Sequence, residues 1–130
     1  MENKFNFNSQ VCTSRSQSER LLALGLKKET ADMIHVDYGG RNYIIRPYDW
    51  LPTSKVDMEK YIPAWSLHRL IEMVPQEHDG SFFSLSLNDA GYSEPGAWVL
   101  YERVGTYDSI INCIEWLIKE GDFSKEYLEE

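Results

Sequence analysis

The stretch Tyr61–Pro75, YIPAWSLHRLIEMVP, carries the reading on which the fold turns. Leu67, Leu70, Ile71 and Val74 fall at i, i+3, i+4 and i+7, one apolar stripe at helical period. The spacing predicts a short helix fenced by prolines. Pro63 suits a first helical turn, where a missing N–H costs little, and Pro75 stops the helix while biasing Val74 away from the α region. On that helix Trp65, Arg69 and Glu72 gather opposite the stripe, within reach of a Trp65–Arg69 cation–π contact and an Arg69–Glu72 ion pair. Trp65 has two readings: a first-turn aromatic folded over a loop, or a surface aromatic offered to a partner.

Working toward the carboxy terminus, Gln76–Gly80 reads as a polar turn. Phe83, Leu85 and Leu87 alternate with Ser84, Ser86 and Asn88, a strand with one wet face. Asp89–Gly96 reads as a turn-rich loop, and Ala97–Val104 as a strand with Trp98 and Leu100 on one side and Val99 and Tyr101 on the other. Ile110, Cys113, Ile114 and Leu117, widened by Ile111 and Ile118, give a final helix capped by Asp108, with a face broad enough to lie on a sheet. Asn112, Glu115 and Lys119 line its other face, Trp116 lies on the flank, and Gly121 ends it. An acidic tail, residues 122–130, is expected to add one more turn.

Toward the amino terminus, Ile34, Val36 and Tyr38 alternate with His35 and Asp37. Gly39-Gly40 then suits a tight hairpin turn, and Tyr43–Ile45 returns until Pro47. The connection over residues 48–62 holds a proline and mixed charge, with a turn of helix at 55–60. Ahead of the hairpin, Ser14-x-x-Gln17 and Ser16-x-x-Glu19 both fit a capping box, Leu21, Leu22 and Leu24 supply an apolar face, and Gly25 fits a left-handed cap. Lys27–Met33 reads as a second helical turn, a simple corner rather than a DNA-reading helix-turn-helix. Residues 1–12 form a polar arm in which Phe5 and Phe7 alternate as in a short edge strand. The expected fold is α+β: one domain over residues 1–130, with a small antiparallel sheet of about four strands, two main helices on one face and a short amino-terminal corner.

Composition bounds the partners. A chain of 130 residues with 42% hydrophobic content can build a core. Its net charge of −8 argues against nucleic-acid backbones and anionic membrane surfaces, and no basic run exceeds Lys27-Lys28. No apolar run is long enough to span a membrane, and MENKFNFNSQ has no apolar signal region, so a cytoplasmic location is expected. Cys12 and Cys113, far apart in the chain, read as free thiols of a reducing compartment.

Three patches, SERLLALGLKKETADM (Ser18–Met33), IPAWSLHRLIEMVP (Ile62–Pro75) and SIINCIEWLIKEG (Ser109–Gly121), cover about a third of the chain directly. In that order and spacing they resemble a group of small proteins from phages, prophages and mobile elements of gut Bacteroidetes-type bacteria, a group with no established activity. The resemblance implies an intracellular protein of mobile-element origin and carries over no catalytic residue.

Chemistry-bearing motifs are sparse. A zinc site needs three or four Cys, His or acidic ligands, whereas the close His–acid pairs are His35-x-Asp37, read as a solvated strand face, and His78-Asp79. Cys113 lies in an apolar stripe, and Cys12, ahead of a helix start, is the more exposed candidate nucleophile. The sequence contains no phosphate loop, nucleophile elbow or dinucleotide fingerprint. No catalytic residue, metal ligand or cofactor is therefore expected. The leading expectation is a non-enzymatic interaction protein, accessory to a phage or mobile element, with Trp65, Arg69, Glu72 and Trp116 as its contact surface and another protein or a second copy as partner. The alternatives are an acidic mimic that occupies a nucleic-acid-binding protein, and a small enzyme built from distant residues such as His35 or His78.

Overall fold

A computed structural model describes residues 9–38, 41–45, 61–87, 89–92 and 105–130. The Phe5/Phe7 alternation, the Gly39-Gly40 turn, the helical turn at 55–60 and the strand at Ala97–Val104 lie outside the described residues. Within them the chain is α+β: helix α1 (Arg15–Ala23), strands β1 (Met33–Tyr38), β2 (Arg41–Ile45) and β3 (Ile62–Ala64), helix α2 (Leu67–Met73), strands β4 (Glu77–His78), β5 (Ser81–Leu85) and β6 (Ala90–Tyr92), and helix α3 (Thr106–Glu120). The strands form two antiparallel sheets of three, ordered β2-β1-β3 and β4-β5-β6, where the sequence predicted one sheet of about four.

The second sheet arises where turn and loop were expected. Asp79 and Gly80 both take positive φ, 50° and 83°, the type I′ form that suits the twist of a two-residue hairpin. Glu77 and His78 can therefore pair with Phe82 and Ser81, and Ala90–Tyr92 pairs back on Phe83–Leu85. Strand β5 keeps the predicted alternation, with Phe83 and Leu85 toward the core and Phe82 and Ser84 exposed.

The Tyr61–Pro75 stretch divides differently from its helical reading. Residues Ile62–Ala64 are a strand, with Ile34 opposite Pro63 and Met33 opposite Ala64. Proline tolerates that place because β3 is the last strand of its sheet among the described residues, and because the residue before a proline prefers extended backbone. The helix starts at Leu67 behind Ser66, whose Oγ accepts from Arg69 N–H at 3.2 Å. Asp32 fixes that cap, taking Ser66 N–H at 2.8 Å and Ser66 Oγ–H at 2.5 Å. The predicted stripe holds: Leu70 and Val74 are buried and Leu67 and Ile71 pack against the core, joined by Met73.

At the amino-terminal corner the Ser14–Gln17 capping box forms, with both reciprocal hydrogen bonds present. Gly25, at φ 103°, ends α1 with a Schellman pair, Gly25 N–H to Leu22 C=O and Leu26 N–H to Leu21 C=O. The second helix of the predicted corner shrinks to one 3₁₀ turn, Lys28–Thr30, before β1 begins, so no recognition helix exists there.

Helix α3 carries the core. Ile110, Ile111, Ile114 and Leu117 are fully buried and Cys113 nearly so. At about 1.5–3 kcal/mol for each large aliphatic side chain removed from water, burial of this face contributes strongly to folding. Gly105 rather than Asp108 caps the helix. Asp108 sits in the first turn, where the helix dipole favours its charge, and accepts from Gln17 Nε2 at 3.0 Å. Arg20 of α1 donates to Asn112 at 2.6 Å and to Glu115 at 2.7 Å on the polar face. Residues 122–130 add the expected turn, as a 3₁₀ turn at Lys125–Tyr127, and fold back on the domain: Phe123 is buried, Lys27 N–H donates to Tyr127 C=O, and Glu129 N–H donates to Gly25 C=O.

The centre of these contacts is Trp65, fully buried against the helices. Substituting Trp65 by Ala should lower unfolding stability by about 3–5 kcal/mol, the range for emptying a large aromatic site. Urea denaturation followed by circular dichroism would measure it, and a loss near zero would place Trp65 outside the core.

Candidate functional site

The four residues expected to share a surface separate into three environments. Trp65 has none of its surface in solvent and belongs to the core, because it precedes α2 and its ring turns inward. Its indole N–H donates to Thr30 Oγ1 at 2.9 Å, which satisfies the polar atom that would otherwise make burial costly. Arg69 lines an open groove of about 620 Å³ with Val11, Asp32, Met33, Ile44, Ser66 and His68. Its Nε is buried and has no hydrogen-bond partner among the described residues. Glu72 pairs at 3.4 Å with exposed His68 instead of with Arg69. In this groove the carboxylate of Asp32 is already committed to the α2 cap, so the lining does not present a free acid beside the arginine.

The thiols are poorly placed for nucleophilic work. Cys12, expected to be exposed, is buried, and so is Cys113; they are not bonded to each other. Burial pushes each thiol up to about 11, with Asp32 adding to the effect at Cys12 and Asp89 at Cys113. His35, expected on a solvated strand face, is also buried, and its Nε2 lies 4.0 Å from Cys12 Sγ. The same nitrogen lies 2.7 Å from Thr13 C=O. A carbonyl can only accept, so Nε2 carries the proton and has no lone pair to take one from the thiol. Asp37 is exposed and so does not share the buried environment of its strand neighbour His35. Among the described residues no group of three or more His, Cys, Asp or Glu side chains could hold a metal ion.

Trp116 stands as predicted on the flank of α3, 42% exposed. Three aromatic rings and a pair of carboxylates organise the surface around it. His78 of β4 meets the Trp116 ring edge-on at 5.1 Å, and Tyr92 of β6 lies 5.3 Å from His78 and 6.4 Å from Trp116. Phe83 closes the row at 5.7 Å from Tyr92. The Tyr92 hydroxyl donates to Pro75 C=O, which ties the row to the end of α2, and burial raises its pKa. His78 Nε2 bonds Asp122 Oδ2 at 2.7 Å, while its Nδ1 lies 3.6 Å from Asp79 Oδ2. The hydrogen bond to Asp122, helped by the charges of Asp79, Asp122 and Glu120, raises the His78 pKa against a smaller opposing effect of desolvation. Sequence reading saw Trp116 and the His78-Asp79 pair separately. Only the turn at Gly121 brings Asp122 to the imidazole.

No protein-family model, curated protein or solved structure matches the chain. No helix among the described residues is long and apolar enough to cross a membrane.

Two outcomes follow. Because the folded-state pKa of His78 is raised, its contribution to stability is complete below the unfolded value near 6.5 and is lost as pH rises through the folded value. Thermal melts across that window should show stability falling with rising pH more steeply in the wild type than in Asp122→Asn; equal slopes would remove the His78–Asp122 link. Both thiols should resist a neutral alkylating reagent at pH about 8 and react once the chain is unfolded. Rapid alkylation of the native protein at Cys12, located by mass spectrometry, would contradict the buried, protonated assignment.

Proposed function

We propose that this chain is a non-enzymatic interaction protein that engages another protein through the surface around Trp116. The observation that carries the reading is the exposed Trp116 ring, held in place by His78 and Tyr92. An aromatic anchor whose orientation is set before contact loses little side-chain freedom on binding, which is why tryptophan is frequent among energetically dominant interface residues. The buried thiols, and a histidine whose facing nitrogen is committed as a donor, weigh against cysteine-dependent catalysis. The resemblance of three segments to proteins of phages and mobile elements adds an accessory role in such an element to this reading.

The test is affinity capture from bacterial lysate with the tagged full chain, read by mass spectrometry at low and high salt. Trp116→Ala should lose the captured protein while its circular dichroism and melting stay close to wild type, the stability change being about 1 kcal/mol or less for a half-exposed aromatic contact. Capture that ignores Trp116→Ala would sink the surface assignment.

A further inference from the structure

The charges around Trp116 suggest what kind of partner it fits. Glu120, one helical turn after Trp116, projects along the same side of α3 and is exposed. Asp122 and Asp79 flank the His78 ring on which Trp116 rests, their side chains 46% and 91% exposed. Lys119, the neighbouring cation on α3, is drawn to Glu115 at 3.5 Å, on the helix's polar face. The patch thus joins an accessible indole to three carboxylates, on a chain of net charge −8.

Resting on the reading of Trp116 as a contact surface, we infer that it receives an arginine-bearing basic segment of a partner protein. A guanidinium laid on the indole face gains from the ring's negative quadrupole, and its planar fork of N–H donors can reach a carboxylate at the ring's edge. Glu120 supplies that carboxylate on the helix side and Asp79 supplies it on the hairpin side, while Asp122 stays bonded to His78 and adds its negative charge. The net negative charge of the whole chain draws the same partner in from a distance and repels nucleic acid and acidic proteins.

The test titrates isotope-labelled full chain with three short peptides of one sequence, bearing arginine, citrulline or glutamate at the same positions, and follows the Trp116 indole resonance, assigned by its loss in Trp116→Phe. Citrulline keeps the planar shape of arginine, removes its charge and exchanges one terminal N–H donor group for an accepting carbonyl. The arginine peptide should shift Trp116, His78 and Glu120, weaken with added salt, and leave the other two peptides far behind. Asp79→Asn and Glu120→Gln touch only exposed side chains, and Asn also accepts the positive φ at position 79, so the fold is preserved. Together they should weaken the arginine peptide roughly two- to tenfold, as expected for two exposed charge pairs. Equal shifts from the citrulline or glutamate peptide would overturn the inference, as would an arginine peptide that leaves Trp116 unmoved. If capture still depended on Trp116 in that case, the contact surface would stand and only its charge preference would fall.

Discussion

The structure depends on Trp65 being sealed into the core with every polar group of that residue answered. Its backbone N–H donates to Thr13 Oγ1, its carbonyl accepts Thr13 N–H, and its indole N–H reaches Thr30. Thr13 in turn is fully buried, and its carbonyl accepts His35 Nε2. One buried residue therefore ties together the segment entering α1, the turn before β1, and the junction of β3 with α2. A buried amide or indole left without a partner would cost about 1–3 kcal/mol, so the three contacts have to form together.

That constraint also explains the short α2. If the helix began at Pro63, Trp65 would be carried around onto its outer face and Ile62–Ala64 would lose their pairing with β1. Ser66, held by Asp32, starts the helix one residue after the tryptophan instead. Strand, buried aromatic and helix cap then follow one another in five residues, and each sets the direction of the next.

The Trp116 surface is built on the opposite logic. Trp116 is exposed because α3 already commits Ile110, Ile111, Cys113, Ile114 and Leu117 to the core, and the indole falls at the margin of that face. The second sheet brings His78 and Tyr92 beneath it, and the left-handed turn at Gly121 delivers Asp122. Aromatic packing and a buried-edge imidazole hold the ring in one orientation, and the surrounding carboxylates give the patch its sign.

Local pattern determined much of this chain. Helical period marked the core face of α3 and the stripe of α2, alternation marked β1 and β5, the return run Tyr43–Ile45 ahead of Pro47 marked β2, and the Ser14–Gln17 spacing marked the start of α1. Those features depend on side chains a few residues apart, which a sequence displays directly. The same pattern left Trp65 between a loop-covering and a surface role, read Cys12 and His35 as exposed, and left β4 and β6 as turn and loop. Whether a tryptophan beside a helix start turns inward is decided by Thr13 and Thr30, far away in sequence, and a two-residue strand such as β4 exists only because β5 is there to receive its hydrogen bonds. The meeting of His78, Tyr92, Trp116 and Asp122 is likewise a matter of long-range packing. Burial and the company of distant residues are properties of the folded chain as a whole, and only the tertiary structure decided them.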